Sequence, residues 1–165
     1  LLDAANVDLK AFADTFYRQQ CGARLQPVLD SLVYMKERGV WLEVTTLIIP
    51  GLNDSDGELR EIAAFIRDSL SADTPWHVSR FHPTYKLLDR PPTPVETLLR
   101  AREIGLEAGL QYVYTGNIPG QGGEDTVCPQ CGATVIRRTG FAVHANRARG
   151  GRCAECGGRI AGVGL

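Results

Sequence analysis

The chain has 165 residues, a net charge of −1 and a hydrophobic share of 44%. That is room for one ordinary core and a small satellite module, and the near-neutral balance gives no general pull toward nucleic acid or an anionic membrane. No apolar run approaches the ~20 residues that span a bilayer, and Leu1-Leu2-Asp3-Ala4-Ala5-Asn6 has neither the basic start nor the apolar stretch of a secretory signal. With no initiator Met, this start reads as the end of one element running into a strand, so the expectation is a chain whose N-terminal portion is missing. Five cysteines, an odd number, argue for a reducing, cytoplasmic setting and for metal ligation over disulfides.

In chain order, Val7-Asp8-Leu9-Lys10 reads as a short strand with a polar end, and Asp14 as the cap of a short helix through about Gln20. Leu25 to Arg38 is amphipathic, with Val28, Leu29, Leu32, Val33 and Met35 near one face and Gly39 as its stop. Val40 to Ile49, rich in β-branched residues and closed by Pro50-Gly51, reads as a buried strand running into a loop. Ser55 and Glu58 have the spacing of a capping box, and the helix behind them turns Leu59, Ile62, Ala63, Phe65 and Ile66 inward. Trp76 to Phe81 alternates as a strand and breaks at His82-Pro83. Thr93-Pro94-Val95-Glu96 is a helix start with an N-cap, a proline at N1 and a glutamate at N3, and that helix runs to Gly109. Gln111 to Tyr114 is a last strand before a glycine-rich linker, Gly116 to Gly123.

Strands alternating with helices imply parallel pairing and right-handed crossovers, so residues 1–120 form an α/β unit, an open sheet or a (βα) barrel segment. Either architecture places ligands at the C-terminal ends of the strands. Polar groups stand there in this chain: Asp8 and Lys10, then Asn53 and Asp54, then His82. Asp8 and Lys10 share a face by the period of two; they could hold a zwitterion or a hydroxylated ligand, or simply pair with each other at a barrel rim. His82 could donate to a ligand hydroxyl or be structural. His77 reads as packing, Asn53-Asp54 as turn and capping chemistry, Gly116-Asn117 as a turn and Cys21 as a packed thiol.

Residues 121–165 carry the sharpest motif. Cys128-Pro129-Gln130-Cys131 and Cys153-Ala154-Glu155-Cys156 are each followed by glycine, and the spacer between them suits a hairpin that joins two knuckles. Four thiolates at tetrahedral spacing suit structural zinc and leave no open position for catalysis. A rubredoxin-like iron site is chemically open too, as are disulfides or reduced thiols. Residues 124–165 hold six arginines against three acidic residues. A metal bound by four thiolates carries about −2, and Phe141 has few aromatic companions, so a structural ribbon is favoured over a nucleic-acid one.

Together these stretches resemble the radical SAM enzyme of the AmmeMemoRadiSam system, which is related to pyruvate formate-lyase activating enzymes. The resemblance rests on residues 7–12, Cys21-Gly22-Ala23-Arg24-Leu25, residues 41–54 through Pro50-Gly51-Leu52-Asn53-Asp54, Pro75 to Pro83 and Val113 to Asn117, with the ribbon after them. It implies a partial (βα) barrel that binds S-adenosylmethionine and a 4Fe–4S cluster and generates a 5′-deoxyadenosyl radical for hydrogen abstraction. It also implies that Asp8, Leu9 and Lys10 lie beside the methionyl part of the cofactor and that His82 approaches the ribose. Where activating enzymes place an arginine before the Pro-Gly turn, this chain has Thr45 or a neighbour. The Cys-x-x-x-Cys-x-x-Cys set that holds the cluster has no counterpart here, so the chain alone should not assemble it. The partners implied are a protein substrate or the other proteins of the AmmeMemoRadiSam system, and the rest of its own barrel. A non-catalytic ribbon module binding protein or nucleic acid, and a barrel enzyme using Asp8, Lys10 and His82 as acid–base groups, are the competing readings.

Overall fold

The computed structural model describes residues 2–165. Its elements are β1 (Ala4–Asp8), α1 (Asp14–Phe16) continued by a π-helical turn (Tyr17–Cys21), α2 (Leu25–Glu37), β2 (Trp41–Ile48), α3 (Asp56–Phe65) continued by a second π-helical turn (Ile66–Leu70), β3 (Trp76–Arg80), α4 (Val95–Glu107) and β4 (Val113–Gly116). Three shorter strands follow: β5 (Thr126–Val127), β6 (Thr134–Thr139) and β7 (Ala142–Asn146). The first four strands form one parallel sheet in the order β1-β2-β3-β4, and the last three an antiparallel sheet in the order β5-β6-β7. The α/β class, the parallel sheet and the ribbon-like tail are therefore as expected. Among the described residues β1 pairs with β2 alone and leaves its other edge without a strand. No helix of the described residues is long and apolar enough to cross a membrane.

Each strand of the parallel sheet turns alternate residues to its two faces. Leu42, Val44, Ile48, Trp76, Val78 and Val113 face the helices and pack with Leu32, Leu59, Ile62, Ala63, Leu98, Ala101 and Ile104. The other face carries Asn6, Asp8, Glu43, Thr45, His77 and Tyr114, with Trp41 and Leu47 among them, and Leu47 packs in a second apolar cluster with Phe16, Tyr17, Ile49 and Phe81. The expectation of a wholly buried strand over Val40–Ile49 is thus corrected: burial alternates along β2, and Glu43 and Thr45 look outward from the core. Thr46 is the polar residue turned inward, on the same face as Leu42, Val44 and Ile48. Its hydroxyl is buried, accepting from Trp76 Nε1 at 2.9 Å and donating to the Leu9 carbonyl at 2.8 Å. Gly105 lets α4 sit close to the sheet, since a Cβ there would come within 2.9 Å of the Trp76 ring and of Val113.

Three expected caps are used differently. Asp14 starts α1 but does not cap it; its carboxylate accepts from the Leu25 N–H at 3.0 Å, at the start of α2, and from Arg18 Nε. Ser55 does cap α3, accepting from the Glu58 N–H, but Glu58 reaches away to the Phe12 N–H at 2.7 Å. Thr93 lies one residue before the N-cap position of α4. Its buried hydroxyl accepts from the Phe81 N–H at 2.9 Å and donates to the Ile48 carbonyl, tying the ends of β2 and β3 together. In each case a backbone group elsewhere in the chain, a helix start for Asp14 and a segment after a strand for Glu58 and Thr93, competes for the side chain that local spacing assigns to a cap.

Candidate functional site

The segment after β1 is held from every side. The Lys10 N–H donates to the Tyr17 hydroxyl at 3.0 Å, the Phe12 N–H to Glu58, and the Leu9 N–H to the Thr45 carbonyl, while the Leu9 carbonyl accepts from Thr46. Asn53, 1% exposed, does most of this work: its Oδ1 accepts from the Ile49 N–H at 2.6 Å, and its Nδ2 donates to the Lys10 carbonyl at 2.6 Å and the Leu47 carbonyl at 2.9 Å. The turn residue of the sequence reading is thus a three-way brace between the ends of β1 and β2.

On this rigid segment Leu9 is fully buried, whereas Asp8 and Lys10 project outward and pair at 2.8 Å with about half of each side chain exposed. Such a pair adds little stability in water; its charges stay available to a ligand. Lys10 lies two residues beyond the end of β1, not within the strand. His82 follows β3 and is exposed on the loop after it, with no hydrogen-bond partner among the described residues. Asp8, Lys10 and His82 therefore stand at the C-terminal ends of parallel strands, and no side-chain hydrogen bond joins His82 to the other two.

A second polar group was not legible as a site in the sequence. In register across the open face stand Asn6 beside Glu43, then Asp8, Thr45, His77 and Tyr114 in one row. Glu43 Oε2 lies 2.8 Å from His77 Nε2, and Trp41 Nε1 donates to Oε1 at 3.5 Å. His77, expected to be packing, stacks against Tyr114 with ring centroids 5.1 Å apart. The His77 hydrogen bond is the main reason the Glu43 carboxyl is held below its ordinary value of 4.5, against a burial effect of opposite sign. A depressed carboxyl stabilises the fold above its unfolded-state pKa and loses that contribution on acidification. Glu43→Gln is accordingly expected to lower stability at neutral pH and to match the wild type ever more closely as pH falls below about 4.5. Urea unfolding of both proteins at neutral and acid pH measures the gap; a gap that persists at acid pH would contradict this account.

The four ribbon cysteines converge. Their Sγ atoms all lie within 4.8 Å of one another, with Cys128 to Cys156 at 3.7 Å and Cys131 to Cys153 at 3.8 Å. Gly132 and Gly157 follow the knuckles with φ of 74° and 72°, a backbone state that favours glycine, and their N–H groups donate to the carbonyls of Cys128 and Cys153. Burial opposes ionisation of Cys128, but the N–H groups of Cys131 and Gln130 and the neighbouring thiols outweigh it and bring the pKa to about 7. The Ala133 N–H favours the Cys131 thiolate, yet the Cys156 sulfur, burial and the other sulfurs push Cys131 up to about 12. Crowded thiols that resist losing all their protons are a donor set for a cation. Cys21 is exposed and far in sequence from this group.

The ribbon is not a free appendage. Tyr112 Oη accepts from the Ala161 N–H at 3.1 Å, and the Tyr114 and Thr126 hydroxyls lie 2.9 Å apart. Arg138 on β6 donates to Thr126 Oγ1 at 2.7 Å, and its guanidinium carbon lies 5.9 Å from the centre of the Tyr114 ring.

This architecture has a solved counterpart. The fold is similar to that of a domain of a pyruvate-formate lyase-activating enzyme from Bacteroides vulgatus, with a TM-score of 0.62 and 16% identity over 70% of this chain and 68% of that one. A radical SAM methyltransferase from Sphaerobacter thermophilus aligns with a TM-score of 0.47 and 23% identity, over 67% of this chain and 32% of that one. In sequence the chain is 53% identical, over 137 residues, to an uncharacterised protein of Methanocaldococcus jannaschii. The match takes in 83% of this chain but spans only 41% of that relative's length. No family model matches the chain.

Proposed function

We propose that this chain is part of a radical SAM enzyme, with residues 1–120 as the C-terminal part of its partial barrel and residues 121–165 as a structural zinc ribbon on Cys128, Cys131, Cys153 and Cys156. The observation that carries this reading is the pinned Asp8-Leu9-Lys10 segment at the end of β1, in a half-barrel sheet whose solved counterpart is an activating-enzyme domain. When bound, S-adenosylmethionine and an iron–sulfur cluster supply a carbon-centred radical able to take hydrogen from a substrate.

The residues of this chain fit one of those groups and not the other. Outside the ribbon the sequence holds only Cys21, so it offers no ligand set for a cluster, and that set belongs to another part of the longer protein. The cofactor is a zwitterion with a ribose. Asp8 and Lys10 offer a carboxylate and an ammonium for the methionyl end, exchanging their mutual ion pair for contacts of the same charge type. His82, with no hydrogen-bond partner among the described residues, can donate to a ribose hydroxyl. A protein substrate or the other proteins of the AmmeMemoRadiSam system are the partners this reading offers; it leaves the substrate itself unassigned.

The full-length protein, purified without oxygen and reconstituted with iron and sulfide, tests this. With a strong reductant it is expected to release 5′-deoxyadenosine from S-adenosylmethionine. Lys10→Ala and His82→Ala should weaken cofactor binding by about tenfold each, the loss of one charge-assisted or polar contact, with unchanged cluster absorbance. A protein with an intact cluster that forms no deoxyadenosine would sink the reading.

A further inference from the structure

Between the open face of the parallel sheet and the ribbon hairpin lies a cleft of about 500 Å3, lined by Glu43, His77, Tyr114, Asn117, Arg138 and Phe141 among others. We propose that this cleft is a binding site for a small aromatic carboxylate, held through the fork of Arg138. The inference does not rest on the radical SAM reading.

The argument begins with how Arg138 is spent. Its backbone N–H donates to Asp125 Oδ1 at 2.7 Å, and its Nη1 donates to Thr126 Oγ1 and to the Glu124 carbonyl at 3.4 Å. These bonds fix the guanidinium but use only one terminal nitrogen. Nε and Nη2, the two donors of one edge, bond to no protein group among the described residues, and neither is sealed from solvent. That edge presents two parallel N–H vectors at the spacing of a carboxylate. No carboxylate oxygen of the described residues lies within ion-pair distance of Arg138. The nearby acids are already committed: Glu43 to His77 and Trp41, and Glu124 Oε2 to the Gly140 N–H at 3.1 Å.

The remaining walls favour a flat, partly apolar body. Tyr114 lies between His77 and Arg138, and Phe141, at the hairpin turn, is fully exposed in the free protein. An aromatic carried on the carboxylate would cover Phe141 and shield the guanidinium from water, which strengthens the charged pair. Glu43 accepts from His77 Nε2 and leaves Nδ1 without a protein partner among the described residues, so the imidazole can receive a hydroxyl or N–H of the ligand.

Benzoate is the probe. Titrated into the full chain and followed by amide and indole resonances, it is expected to shift Gly140, Phe141 and Trp41 saturably with a millimolar Kd. Benzamide, of the same shape but uncharged, should bind about tenfold more weakly, and Arg138→Gln should weaken benzoate to a similar degree. Phe141→Ala, at an exposed turn where folding is not at stake, should weaken it by about threefold. Because Arg138 also braces Thr126, Arg138→Lys is the second variant: it keeps the charge and loses the fork, and should bind benzoate clearly less well. Non-saturating shifts, equal binding of benzamide, or full binding by either folded Arg138 variant would overturn the proposal.

Discussion

Replacing Cys153 by Ser, or stripping the metal with a chelator, is expected to unfold the β5–β6–β7 unit while the parallel sheet stays folded. The buried core of that unit is small: Val135, Ile136 and Ile160, with Cys128 and Cys153 themselves. Two of the five residues of that apolar cluster are therefore members of the thiol cluster. β5 is only two residues long, and such short pairings are marginal in water. With four sulfurs inside 4.8 Å, ionising them without a cation sets like charges against one another. Zinc held by peptides of this size contributes about 10–16 kcal/mol near neutral pH, more than the three aliphatic side chains can supply. The wild type is expected to carry one zinc per chain by elemental analysis. The Cys153→Ser spectrum should show residues 126–160 at unfolded shifts, with Val44 and Val78 in place. A ribbon spectrum that survives both treatments would mean that packing, not metal, holds the module. The same experiment reads out the docking contacts, since Tyr112 and Tyr114 lose Ala161 and Thr126 as partners when the ribbon melts.

The contrast between the ribbon and the parallel sheet explains what could be read from the sequence. The knuckles were legible because the chemistry is local: two residues between thiols and a glycine after them encode a metal-sized turn wherever they occur. The parallel sheet was legible through periodicity, and β2, α2, α3 and α4 fall within a few residues of their expected positions. What escaped was every side chain whose partner is far along the chain. Glu43 and His77 are separated by a whole helical crossover and meet only because β2 and β3 are neighbours in register. Arg138 was one of six ribbon arginines until the hairpin brought it over Tyr114. Thr93 and Glu58 carried good capping signals, yet both bond backbone groups near strand ends: Thr93 the Ile48 carbonyl and the Phe81 N–H, Glu58 the Phe12 N–H. The strand ends therefore drew in the nearest suitable polar side chains. This is also why the polar residues at those ends looked bland one by one: each one's partners lie far along the chain and meet it only in the fold.

Asn53→Ala is expected to test that role with the largest effect of any polar substitution in the sheet. The amide serves three backbone groups at once, and alanine leaves the Ile49 N–H and the Lys10 and Leu47 carbonyls without their partner in a site 1% exposed. An unpaired buried backbone group costs about 1–3 kcal/mol, so a loss of about 3 kcal/mol is expected even if water reaches one of them. Asn53→Asp keeps the shape and the acceptor for Ile49 but sets a carboxylate oxygen against the Lys10 and Leu47 carbonyls. It should be at least as destabilising as alanine despite its closer shape. Neither variant alters a residue that would touch a ligand. Denaturant unfolding gives the stability, and hydrogen exchange gives the local consequence. The Lys10 and Phe12 amides, donated to Tyr17 and Glu58, should exchange faster than global unfolding requires, because the loop has lost the brace between them. If both amides kept wild-type protection relative to global stability, Asn53 would be a core residue like any other. If they lose it, the pinned conformation of Asp8-Leu9-Lys10 is a property this chain builds from β2, before any ligand arrives.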